Sequence, residues 1–98
     1  MSGGVDAVRS VHLTPDKPVL NVGDELVCSA RGNPTPQLTF SPATAGGSSG
    51  EDGAKAWKTM IVSAEWKNQT HRVNCTAVNE LDGTHQVTAS ATFKVVGQ

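Results

Sequence analysis

Along most of the chain, apolar and polar residues alternate singly, the two-residue period of strands with one buried face. In Glu25 to Arg31, Leu26, Cys28 and Ala30 fall on one side. Thr70 to Asn79 repeats the pattern, with Val73, Cys75 and Ala77 alternating with Arg72, Asn74, Thr76 and Val78. His85 to Val96 is the longest such run and sets Val87, Ala89, Ala91, Phe93 and Val95 against Gln86, Thr88, Ser90, Thr92 and Lys94. Leu38 and Phe40 alternate with Gln37 and Thr39. From Ala56 to Ala64, the inner face is expected to be Met60, Val62 and Ala64, and the outer face Trp57, Thr59 and Ile61. Apolar residues do not recur at helical spacing, so no helix is predicted.

Glycine and proline mark where these runs end. Val8 to Leu13 alternates loosely and reads as a first edge strand. Pro15 and Pro18 interrupt it, and Val19 to Asn21 continues it, as in an edge strand that breaks and changes partner sheet. Val22-Gly23-Asp24 and Gly32-Asn33-Pro34-Thr35-Pro36 read as turns. Asp82-Gly83 between two alternating runs is a strong hairpin signal. Ser41 to Ala54 differs: it holds four glycines, three serines and Pro42, with little to bury, and is expected to lack strong secondary structure.

The two cysteines, 47 positions apart, each lie on the inner side of an alternating run. Two strands presenting cysteines inward can be stapled face to face across a thin core. The expected fold is therefore an all-β sandwich of two antiparallel sheets, with Leu26, Leu38, Phe40, Met60, Val62, Val73 and Phe93 in its core.

The run Cys28-Ser29-Ala30-Arg31-Gly32-Asn33-Pro34-Thr35-Pro36, then Phe40, then Cys75-Thr76-Ala77-Val78-Asn79, resembles the immunoglobulin-like domains of the I-set or C2 type. The resemblance runs from about Val11 to Val96. It implies a Greek-key sandwich with an inter-sheet Cys28–Cys75 disulfide. Its implied role is non-catalytic, in adhesion, ligand recognition or spacing within a multidomain cell-surface or secreted protein. Two positions depart from the family pattern. Phe40 stands where the family has a core tryptophan, and Val73 stands where a tyrosine corner would begin. Trp66 is expected to pack over the end of the sandwich instead, although an exposed interface role is the competing reading, and Trp57 divides evenly between the two. An intracellular muscle-type scaffold domain with two reduced thiols is the alternative function, and an accessory domain of an enzyme a third.

Ninety-eight residues, 37% of them hydrophobic, suit one domain, taken as 7–97 with 1–6 as a tail or linker. The end of the chain just after its last alternating run reads as a cut between tandem domains. Net charge is −1, and the eight Lys and Arg are scattered, which argues against a nucleic-acid partner. No apolar run is long enough to span a membrane, so no membrane contact is expected from this segment. Paired cysteines favour an oxidising, extracellular setting. Asn68-Gln69-Thr70 and Asn74-Cys75-Thr76 are glycosylation sequons on the same side of that question, with Asn68 the better acceptor.

Catalytic chemistry finds little support. His12, His71 and His85 stand apart from any metal-ligand spacing and read as solvated residues, and no metal or cofactor is expected. Gly46-Gly47-Ser48-Ser49-Gly50 matches the Gly-x-Ser-x-Gly nucleophile elbow only formally, since that motif needs a strand-to-helix turn on an α/β sheet. Recognition remains. The outward positions Thr39, Arg72, Asn74, Thr76, Thr88 and Ser90 would form a mixed, weakly charged face suited to protein contacts. The partner would be a protein ligand or receptor, the same protein on another cell, or a neighbouring domain. Leu81-Asp82 is similar to the short motifs by which some immunoglobulin-like adhesion receptors present a carboxylate to an integrin metal, although turn stabilisation by Asp-Gly is the plainer account.

Overall fold

The computed structural model describes residue 8 and residues 10–42, 47–79 and 86–97. Eight strands follow one another: β1 (Val11–Thr14), β2 (Val19–Asn21), β3 (Glu25–Arg31), β4 (Gln37–Ser41), β5 (Ser49–Asp52), β6 (Lys55–Ile61), β7 (Thr70–Val78) and β8 (Gln86–Val96). They form two four-stranded sheets, ordered β1-β3-β6-β5 and β2-β8-β7-β4. All pairs are antiparallel except β2 with β8, which is parallel. The prolines explain that pair. Pro15 and Pro18 break the first strand, so β1 stays with β3 while β2 crosses to the edge of the other sheet.

Alternation then places the core. Leu26, Cys28, Phe40, Met60, Val62, Val73, Cys75, Phe93 and Val95 are buried together between the sheets, with Leu38 half-buried against them. Val8 lies ahead of β1 and is fully buried in a smaller cluster with Ala30 and Ala77. The Cys28–Cys75 disulfide joins β3 to β7 through the middle of this core. Closing a loop of that length contributes about 4 kcal/mol in the chain-entropy picture.

Short polar contacts hold the connections. In the turn before β3, Gly23 takes φ 93° and the Asn21 N–H donates to Asp24 Oδ2 at 2.9 Å. Asn79, just after β7, is fully buried, and its Nδ2 donates to the Pro34 carbonyl at 2.9 Å, tying that strand end to the β3–β4 turn.

Four expectations are corrected here. The 47–54 stretch is ordered: β5 pairs with β6 along Ser49↔Lys58 to Asp52↔Lys55. Its glycines make this possible by letting backbone approach where a side chain could not. A Cβ on Gly47 would lie 1.7 Å from the Thr59 carbonyl oxygen, and one on Gly50 would meet the Trp57 ring at 2.3 Å. Thr59, expected outside, is 8% exposed because its hydroxyl accepts from the Ser48 N–H at 2.7 Å. Ala64, expected inside, is exposed in a single 3₁₀ turn over Ala64–Trp66, which begins where the Ser63 hydroxyl accepts from the Glu65 N–H. That turn is also helical structure where none was predicted.

Candidate recognition face

β7 lies between β4 and β8, and the registers fix which side chains share its outer face. Thr76 sits opposite Thr39 and Thr88, Asn74 opposite Ser41 and Ser90, and Arg72 opposite Thr92. Neighbouring side chains bond one another. Thr76 Oγ1 and Thr88 Oγ1 lie 2.9 Å apart, and Ser90 Oγ donates to Asn74 Oδ1 at 2.5 Å. Arg72 and Lys94 are the charged residues that the described strands place on this face. The surface is thus a hydroxyl- and amide-bearing sheet whose groups are partly preorganised by each other. Such a surface lends itself to a polar protein contact of modest strength more than to electrostatic capture.

Of the other positions singled out in the sequence, Leu81, Asp82 and His85 lie outside the described residues. Asn68 is exposed in the turn before β7, with φ 66°. His12 is exposed, with Nε2 3.5 Å from Ser10 Oγ. Ser48, the centre of the formal hydrolase motif, lies with its Oγ 3.2 Å from the Thr59 hydroxyl and leads into strand β5 rather than into a helix. Among the described residues, no three His, Cys, Asp or Glu side chains are close enough to hold a metal ion.

His71 is a correction. It has the parity of Val73 and Cys75, so its ring points inward and stacks on Trp66 with centroids 3.9 Å apart. Counting back two from Val73 would have found it. Nε2 is buried with no partner among the described residues, and desolvation lowers the His71 pKa below its usual 6.5. Trp66 packs against the main core, as the sequence suggested. Trp57 lies half-buried over Gly50 on the outer face of the other sheet.

A concavity of about 180 Å³ opens between the edge strands β4 and β5, lined by Pro36, Leu38, Glu51, Trp57 and Lys58 among others. Lys58 reaches across it, with Nζ 3.5 Å from the Leu38 carbonyl oxygen.

The orders β1-β3-β6-β5 and β2-β8-β7-β4, with a disulfide from β3 to β7, reproduce the strand arrangement and staple of one known sandwich. The fold is immunoglobulin-like. No family model and no curated protein matches the sequence. Among solved structures, this immunoglobulin-like chain is similar to a chimeric titin Z1Z2 functionalized with a KLER exogenous peptide from decorin, at 18% identity and a TM-score of 0.49. The match covers 98% of this chain and 50% of that one, so the chain spans about half the length of its structural neighbour.

Proposed function

We propose that this immunoglobulin-like domain is a non-catalytic recognition module of a cell-surface or secreted protein, binding a protein partner through the outer face of β4, β7 and β8. The observation that carries this reading is the face itself. Its hydroxyls and amides are aligned in rows across three strands and held by the Thr76–Thr88 and Ser90–Asn74 hydrogen bonds. Ordering these side chains in advance lowers the entropic cost of docking a partner on them. The extracellular setting is supported by the Cys28–Cys75 disulfide, a bond that persists in oxidising compartments.

A multimer of the domain, screened against displayed cell-surface and secreted proteins, tests the reading. Thr39→Arg with Thr88→Arg should weaken any partner's binding about tenfold or more, whereas Glu25→Arg on the opposite sheet should not. Equal binding by both variants would remove the face from the interface.

A further inference from the structure

The fold treats the two sequons differently. Asn68-Gln69-Thr70 crosses from the 3₁₀ turn into β7, and both Asn68 and Thr70 are exposed. The backbone there is pinned. The Asn68 N–H donates to the Val95 carbonyl at 2.7 Å, and the Val95 N–H donates to the Gln69 carbonyl at 2.9 Å. The left-handed conformation of Asn68 (φ 66°) puts it at the bend of the turn. Among the described residues, none hydrogen-bonds the Asn68 carboxamide or the Thr70 hydroxyl.

Asn74-Cys75-Thr76 is the opposite case. Asn74 is half-buried in the middle of β7, paired with Ser41 on one side and Ser90 on the other. Its Oδ1 accepts from Ser90, the Thr76 hydroxyl is engaged with Thr88, and the residue between them is half of the disulfide. A sugar on the Asn74 Nδ2 would stand on the face itself, beside the Ser90 hydroxyl that Oδ1 accepts from.

We propose that the chain carries one N-linked glycan, on Asn68, and that Asn74 stays bare. The Asn68 amide nitrogen attacks the anomeric carbon of an oligosaccharide carried on a lipid pyrophosphate. The new bond is N–C, the sugar–pyrophosphate C–O bond breaks, the lipid pyrophosphate leaves, and an amide proton passes to a base on the transferase. The glycan then sits beside the end of β8, roughly 20 Å along β7 from the Thr39–Thr76–Thr88 row at ~3.4 Å per residue. The recognition face remains open. This inference rests on the extracellular reading, because the lipid-linked donor is met in the secretory pathway.

The test is secretion of the chain from animal cells behind a supplied leader, with peptide mapping after enzymatic glycan release, which converts the carrying asparagine to aspartate. Conversion at Asn68 alone is expected, lost in Thr70→Ala and kept in Thr70→Ser; both variants leave the Asn68 backbone as it is. An unmodified Asn68, or conversion at Asn74, overturns the inference. The two failures separate. A secreted, disulfide-bonded but bare domain overturns this inference and leaves the extracellular reading, whereas a parent chain found only in the cytosol by labelling of intact cells overturns both.

Discussion

His71 lies face to face with Trp66, ring planes 15° from parallel and centroids 3.9 Å apart, with the Phe93 ring 6.3 Å from the imidazole. This stack closes one end of the core in a chain that has Val73 at the position of the corner tyrosine of immunoglobulin sandwiches. Its buried Nε2 is poorly solvated when charged, so folding favours neutral His71 and lowers its pKa below 6.5. The unfolded chain then binds more protons than the folded one in the window just below 6.5. Stability should therefore be full above that value and fall as pH drops through it. Urea unfolding at pH 7.5 and pH 5 should show this loss, and His71→Phe should reduce it. An unchanged pH dependence in His71→Phe would assign the effect elsewhere.

Trp66→Ala removes the other half of the stack. Trp66 is half-buried, so the expected cost is about 2–3 kcal/mol, below the 3–5 typical of a fully buried tryptophan. A cost under about 1 kcal/mol by urea unfolding would mean that the ring contributes little to the core and is free to serve as a contact residue.

Phe40 is 5% exposed and pairs with Cys75 across β4 and β7, against the disulfide. Phe40→Ala should destabilise by about 3–5 kcal/mol, with an unchanged denaturant slope. A much smaller loss would place the packing centre of the sandwich elsewhere.

Gly47→Ala should cost about 1–3 kcal/mol, because the new methyl meets the Thr59 carbonyl oxygen and backbone must move. The comparison is Gly53→Ala, where the surroundings are open and only the left-handed backbone (φ 63°) resists. Equal, negligible effects at Gly47 and at a surface control would return the 47–54 stretch to the unstructured state read from its composition.

That stretch forms a strand without an apolar alternation to announce it. The strands legible in the sequence are those whose alternation involves apolar side chains: β3, β4, β7 and β8 are visible because Leu26, Phe40, Val73 and Phe93 need burial. β5 holds Ser49, Gly50, Glu51 and Asp52, and forms through its backbone ladder to β6 and the close approaches its glycines permit. A side-chain pattern cannot report that. Thr59 misled for a related reason, since a hydroxyl bonded to Ser48 is buried without being apolar. His71 was legible by parity alone, but an isolated histidine suggests solvent more readily than a stack. Thr39, Arg72, Asn74, Thr76, Thr88 and Ser90 were legible as outward positions, because register in a two-period strand fixes facing, whereas Ser41, which pairs with Asn74, was read into the glycine-rich stretch. The hydrogen bonds that organise it needed the cross-strand pairs.

The most direct measurement is a thiol count on the parent protein from its native source, alkylated under denaturing conditions before and after reduction. Cys28 and Cys75 should be unlabelled before reduction and both labelled after it, as in an oxidised extracellular module. Both labelled before reduction would contradict it and favour an intracellular domain with two buried thiols.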